Sequence, residues 1–261
     1  MIWQPTYCDG YASPYNGGLL YPDLWLGCVG AWCASLGPTG GVLWDHSGFG
    51  NHGTLTNMVP GEDWVVSDGR YAVDFDGTDD YVDLGAVTSG NLSALTISGW
   101  FYRSSSSDSI SLGWSDVLPE RAYILVYGAS NVAYWVVENG TNNFPTTSFS
   151  GTGWHHIAMT YNGSIRNGYI NGVNQNVSGI APSSYAVTGT FKIGKDLSNT
   201  IFSKGLIDDI RIYNRALNAS EVAQLNQLGR GGSYAMAPRR RRSGTIATGN
   251  RRRRVLIGAC A

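Results

Sequence analysis

Three groups of residues in this chain have the types and spacing to do chemistry. Asp76, Asp79 and Asp80 fall within five positions around Gly77, and carboxylates on a Gly-containing turn are the hard oxygen donors that calcium prefers. The same three would serve equally well as solvated turn residues. Trp114, Tyr123, Tyr127, Tyr134 and Trp135 cluster in mid-chain, with Asn131, Asn139, Asn142 and Asn143 nearby. Aromatic faces stack on the apolar faces of sugar rings while amides bond hydroxyls. Trp114, Tyr127, Tyr134, Trp135 and Asn139 are therefore the chief candidates for carbohydrate binding, although strand alternation sends half of the rings into the core. The third group is Arg239, Arg240, Arg241 and Arg242 with Arg251, Arg252, Arg253 and Arg254. Such runs contact nucleic acid or another polyanion through bidentate bonds and counterion release, or dock on the acidic body of a neighbouring copy. His155 and His156 are adjacent, so on a regular strand they point to opposite faces and cannot jointly clamp a metal. His46 and His52 sit among Ser47, Gly48 and Gly50, which indicate turn geometry before metal chemistry.

The elements that position these groups are strands. Strand-like runs are expected at about 28–34, 42–45, 72–76, 80–84, 95–103, 109–113, 121–127, 132–138, 154–161, 167–171, 190–194 and 205–213. Asn171-Gly172 is the pair best suited to the positive φ angles of a two-residue hairpin turn. Ser104 to Ser109 reads as a flexible loop. In the last strand, Leu206, Asp208, Ile210 and Ile212 are expected on one face, with Ile207, Asp209, Arg211 and Tyr213 on the other. Burying Asp208 then requires a cation or hydrogen-bond donors, whereas Asp209 turns towards Arg211 or solvent. Asn218 with Glu221 reads as a capping box, and Val222, Leu225 and Leu228 form the apolar stripe of a short helix.

Five stretches carry a family resemblance in order: Asp45 to Leu55, Val73 to Val82, Trp154 to Gly163, Phe191 to Gly194, and Gly205 to Val222. Together they resemble a laminin G-like domain of the concanavalin A-like lectin/glucanase superfamily over roughly residues 26 to 228. The resemblance implies an all-β fold, a two-sheet antiparallel jelly-roll sandwich with a short C-terminal helix. It also implies a structural calcium held by Asp76 and Asp208, with Asp79 and Asp80 as further donors, and mid-chain aromatics that line or border the concave face. The Trp154-His155-His156 pattern resembles that of a core strand in this family. Enzymes of the superfamily carry Glu-x-Asp-x-x-Glu, and the only glutamates here are Glu62, Glu120, Glu138 and Glu221, so that motif is absent. No catalytic residues are assigned.

Composition divides the chain. All 19 acidic residues lie at or before Glu221. Ten of the 18 Lys and Arg lie at or before Arg230, so the body carries −9 and the eight tail arginines restore the total of −1. The expected organisation is an N-terminal arm (1–23), a jelly-roll domain (24–230) and a disordered Arg-rich tail (231–261). Cys8, Cys28, Cys33 and Cys260 make neither a disulfide framework nor a zinc pattern. The odd separation of Cys28 and Cys33 is expected to put them on opposite faces of one strand. Met1 to Pro5 has no basic n-region, and Leu24 to Leu36 is too short and too Gly-broken to span a bilayer. The favoured function is non-catalytic recognition of carbohydrate or a protein partner on a cell or virion surface. The alternatives are a structural protein that self-associates through arm and tail, and a polysaccharide hydrolase.

Overall fold

The computed structural model describes residues 21–34, 37–88, 90–114, 120–139, 146–177, 179–180, 185–187, 189–196 and 200–230. The expected arm up to residue 20 and the expected tail from residue 231 lie outside the described residues. Among the described residues, nineteen strands and one α-helix follow in chain order: β1 (Cys28–Trp32), β2 (Val42–Leu43), β3 (Gly53–Thr56), β4 (Trp64–Ser67), β5 (Arg70–Asp76), β6 (Tyr81–Asp83), β7 (Gly90–Leu92), β8 (Leu95–Arg103), β9 (Ile110–Trp114), β10 (Glu120–Tyr127), β11 (Val132–Asn139), β12 (Thr146–Ser148), β13 (Gly153–Tyr161), β14 (Ile165–Ile170), β15 (Val173–Asn174), β16 (Gly179–Ile180), β17 (Tyr185–Val187), β18 (Phe191–Ile193), β19 (Lys204–Tyr213) and α1 (Ala219–Arg230). One antiparallel sheet has the order β15-β14-β13-β8-β19-β5-β4, with β1 beside β19 and β16 beside β14. The other runs β12-β11-β10-β9-β18-β6-β3-β2, and β17 pairs with β7. This is the expected jelly-roll sandwich, and each of the twelve expected runs corresponds to a strand.

The two sheets enclose one apolar core. Phe75, Ile97, Phe101 and Ile157 enter it from the first sheet, and Leu112, Trp114, Ile124, Trp135 and Phe191 from the second. β19 departs from the expected alternation. Its register against β8 slips between Asp208 and Arg211, and Asp209 takes a positive φ of 49°. A bulge of this kind inserts one residue and reverses the phase of the rest of the strand. Ile207, Ile210 and Ile212 therefore all reach the core. Asp208 and Arg211, both buried, lie with Tyr213 on the outward face, which corrects the expectation that Asp208 shares a face with Ile210 and Ile212. A second slip in β1, between Cys28 and Gly30, corrects the cysteines. Cys28 and Cys33 are both thiols outside any disulfide, buried on the outer side, while Val29 and Trp32 face the core.

Helix α1 covers that outer side. Asn218 Oδ1 accepts the Glu221 N–H at 3.0 Å and Glu221 Oε2 accepts the Asn218 N–H at 2.8 Å, so the capping box closes as expected. Val222, Leu225 and Leu228 pack on Ala31, Ala158, Tyr169 and Tyr213. The Asn171-Gly172 turn joins β14 to β15 with φ angles of 52° and 78°. The Ser104–Ser109 loop, expected to be flexible, is tied down. Buried Arg103 donates to the carbonyls of Ser106 and Asp108, and Asp108 Oδ2 accepts from Ser104 and Ser105. A guanidinium with five donors organises a serine loop that composition alone reads as loose.

Gly168 supports the core ring of Trp135, and a Cβ added there would lie 2.3 Å from that indole. Gly168→Ala is expected to cost about 1–3 kcal/mol through overpacking. Calorimetry should register this as a fall of several degrees in melting temperature, with the fold retained.

Candidate functional site

The outward face of the eight-stranded sheet carries the aromatic candidate. Because Ala122, Ile124 and Val126 of β10 and Ala133, Trp135 and Val137 of β11 turn inward, their neighbours turn out. Tyr127 is exposed, and Tyr123 and Tyr134 are half-buried. The registers set these residues in two adjoining rows. Tyr134 lies opposite Leu125, which lies opposite Ser111. Tyr123 lies opposite Gly113, which lies opposite Lys192, which in turn lies opposite Asp83. Gly113 is needed for this arrangement, because a Cβ there would sit 2.4 Å from Tyr123 Cβ and 2.3 Å from the Ala122 carbonyl. Tyr81 of β6 completes the surface.

Cations sit against these rings. The Lys195 ammonium is 4.3 Å from the Tyr81 centroid and 5.8 Å from that of Phe202. Lys192 is 6.0 Å from the Tyr81 centroid, and the Arg121 guanidinium is 5.9 Å from that of Tyr123. The Lys195–Asp196 turn is fixed. Ser111 Oγ donates to the Lys195 carbonyl at 3.2 Å, and Asp196 Oδ1 accepts the N–H groups of Thr200 and Ile201 at 3.0 and 2.9 Å. Burial pushes the Tyr123 hydroxyl above its ordinary value, with Arg121 opposing and Asp196 and Tyr134 adding. That face can stack on an apolar ring surface and bond hydroxyl or acidic groups at its rim.

Of the five chief aromatic-site candidates, the structure brings Tyr127 and Tyr134 to this face. Trp114 and Trp135 are instead fully buried core residues, with Trp114 edge-on to Phe191 at 4.7 Å. They occupy the inward phase of their strands, so they correct the expectation of a binding role. Asn139 ends β11, and its side chain, like Asn142 and Asn143, lies outside the described residues. Tyr81, Arg121, Lys192, Lys195 and Asp196 were not anticipated. The inward phase of Val82 and Ile193 was the available signal for Tyr81 and Lys192. The Arg239–Arg242 and Arg251–Arg254 clusters lie outside the described residues.

The acidic candidates separate. Asp76, Asp79 and Asp80 present carboxylate oxygens all within 4.8 Å of one another. Asp76 Oδ1 accepts the N–H of Thr78 at 2.7 Å and of Asp79 at 3.4 Å, and Asp80 Oδ2 accepts that of Asp76 at 3.0 Å. Burial pushes the Asp80 carboxyl up to about 6, with Asp76, Asp63 and Asp79 adding to the rise. Asp208 does not join them. Asp76 lies opposite Lys204 at the start of β19, four residues before Asp208. The Asp208 carboxylate instead lies 3.8 Å from Arg70, whose guanidinium packs over Trp100 at 5.2 Å and Trp154 at 4.9 Å. Asp209 meets Arg211 at 2.8 Å, as expected.

The histidines are structural. His155 lies edge-on to Phe149 and contacts the Thr152 carbonyl. Buried His156 packs beside Trp100 at 5.5 Å. His52 Nδ1 accepts the Asp45 N–H, and the Asp45 carboxylate gathers the N–H groups of Ala31, Ser47 and Asn51.

A laminin G type family model, described as the concanavalin A-like lectin/glucanases superfamily, matches residues 76–223. The chain belongs to this superfamily. No curated protein sequence matches it. Among solved structures, this superfamily member is similar to the binding domain of Paraclostridial Mosquitocidal Protein 1, with 17% identity and a TM-score of 0.57 over 78% of this chain and 52% of that one. It is similar also to the receptor binding domain of botulinum neurotoxin D, with 11% identity and a TM-score of 0.58 over 78% and 53%. Domain 4 of AbnA, an extracellular arabinanase of Geobacillus stearothermophilus solved with arabinotriose, shares 22% identity with a TM-score of 0.52 over 77% of this chain and 98% of that domain. The chain thus spans about half the length of the two toxin domains. At these identities the likeness shows the fold. The matched range holds the acidic turn, the tyrosine face and the β19 bulge. Among the described residues no helix is long and apolar enough to cross a membrane.

Burial holds His156 well below its ordinary 6.5, at about 4, with Asp209 opposing and Arg211 reinforcing. The folded state therefore keeps it neutral while the unfolded chain protonates near 6.5. Its contribution to stability is complete above about pH 6.5 and is lost as pH falls towards 4, by up to about 1.4 kcal/mol per pH unit. Denaturant titrations across that window should show a shallower pH slope for His156→Gln than for the parent.

Proposed function

We propose that the chain is a non-catalytic carbohydrate-binding module and that the tyrosine face of its eight-stranded sheet is the binding surface. The observation that carries this reading is the outward set Tyr81, Tyr123, Tyr127 and Tyr134, interleaved with Arg121, Lys192, Lys195 and Asp196 on a fixed sheet. Aromatic planes with few rotatable bonds lose little entropy on binding and match the apolar faces of sugars. The arabinotriose bound by the AbnA domain, and the binding and receptor-binding roles of the two toxin domains, support recognition of a glycan or of a receptor surface. A surface role on a cell or virus particle is part of the same reading.

The opposed charges of body and tail favour a second reading, assembly or polyanion contact through the Arg clusters. A glycan panel measured by calorimetry at low and high salt separates the two, because charge contacts of exposed arginines are screened and aromatic stacking is not. Saturable binding that survives high salt, weakened about tenfold by Tyr127→Ala, is the expected outcome. Binding that disappears with salt and is indifferent to Tyr127 would assign recognition to the tail.

A structural calcium at the acidic turn belongs to the same proposal. Three carboxylates within 4.8 Å, with Gly77 at φ 84° allowing the tight turn, form a hard-oxygen donor set that fits the ion. Asp208 serves Arg70 in this reading, not the ion. Calcium added to chelator-treated protein should raise the melting temperature by several degrees, and Asp76→Asn should abolish that rise. Asp208→Ala should lower the melting temperature equally with and without calcium, because it leaves Arg70 without its buried carboxylate.

A further inference from the structure

On the strength of that binding reading, we propose that the tyrosine face selects sugars bearing an anionic group, and that Lys195 is the residue that holds the anion. Lys195 is placed by rings, since its ammonium lies 4.3 Å from the Tyr81 centroid and 5.8 Å from that of Phe202. Among the described residues Lys195 makes no ion pair. Its backbone is fixed as well, because its carbonyl accepts Ser111 Oγ from the neighbouring strand and it bridges to Phe202 across the turn. A cation held by quadrupoles and a fixed backbone keeps its N–H donors available to an incoming oxyanion.

The surroundings agree in sign. Lys192 also lies against Tyr81, and Arg121 against Tyr123, so with Lys195 three cations border the tyrosine face. Among the described residues there, the carboxylates of Asp83 and Asp196 are engaged with backbone. Asp83 Oδ1 accepts the Gly85 N–H at 2.8 Å, and Asp196 Oδ1 accepts two amides of its own turn. In a body with a net charge of −9, three of its ten Lys and Arg border this one face. A neutral sugar would leave the Lys195 donors to water, whereas an acidic sugar stacks its ring on tyrosine and sets its anion at the lysine. A carboxylate and a sulfate ester share that chemistry.

The test compares three short ligands of matched length by calorimetry on the full chain: a galacturonic acid trisaccharide, its carboxyl-reduced neutral form, and a sulfated galactose trisaccharide. The expected result is binding of one or both acidic forms about tenfold tighter than the neutral form. The acidic form with the gain identifies carboxylate or sulfate as the source. Lys195→Met should remove the acidic-over-neutral preference with the melting temperature unchanged, and Lys195→Arg should restore it. Equal affinity for acidic and neutral forms overturns the inference and leaves the carbohydrate reading standing. A preference that survives Lys195→Met overturns the role of Lys195 and assigns the charge to Lys192, Arg121 or the Arg-rich tail. Failure of every sugar on the broader panel to bind overturns both.

Discussion

The bulge in β19 is the constraint on which the rest of the sandwich depends. This strand pairs with β8 along its length, with β5 over its first half and with β1 over its second. Without the extra residue at Asp209, strict alternation would send Asp208 into the space that Ile210 and Ile212 occupy. An ionised carboxylate there would meet Phe75 and Phe101 instead of a cation, at a cost of several kcal/mol. The slip costs one residue at positive φ and keeps three isoleucines in the core. Asp208 and Arg211 are then delivered to the outer face, where Arg70 and Asp209 meet them. A slip of one residue in β1 likewise puts Cys28 and Cys33 on the same side.

The two outer faces have consequently different uses. On the nine-stranded sheet, Asp208, Arg70, Trp100, Trp154 and His156 form a polar and aromatic layer, while α1 and Leu24 cover Ala31, Ala158, Tyr169 and Tyr213. Two close cation–π contacts and an ion pair fix Arg70, so the layer is a structural seam, and depressed basicity at His156 is a consequence of that packing. On the eight-stranded sheet, the core rings of Trp114, Trp135 and Phe191 lock the phase of β9, β11 and β18. That locking presents Tyr134 and Lys192 outward. The deeply buried tryptophans thus position the surface tyrosines without belonging to the surface, and Gly168 and Gly113 provide the space that both arrangements need.

Much of the fold was legible because it rests on local chemistry. The Asn218–Glu221 cap and the Asn171-Gly172 turn each depend on residues close in sequence, and each formed as their spacing indicated. The features that escaped notice depend on pairing between distant strands. No composition marks the slips in β1 and β19, so the faces of Cys33 and Asp208 were misassigned. The inward phase of Trp114 and Trp135 was discernible only by counting from apolar neighbours such as Leu112 and Val137. Lys195 and Asp196 come after a two-residue-wide apolar signal, Phe191 and Ile193, and their importance arises from the turn that folds back on Ser111.

Charge in this protein is arranged by site and not by total. Burial raises Asp74 and Asp80 around the turn after β5, with Asp63 and Asp76 adding at both and Asp79 at Asp80. This turn leads into β6 and Tyr81, whereas Arg121 and Lys192 are carried by β10 and β18 of the eight-stranded sheet. Exposed charges farther apart than about 8 Å are largely screened at physiological ionic strength, so the acidic total says little about the charge that the tyrosine face presents to a ligand. Lys192, Lys195 and Arg121 lie on rings of low polarity, where an approaching anion displaces less water and interacts more strongly than at an open surface. An acidic body can therefore carry a face that favours anions, provided the cations are fixed close to the stacking surface. Tyr81 and Ser111 supply that fixing for Lys195.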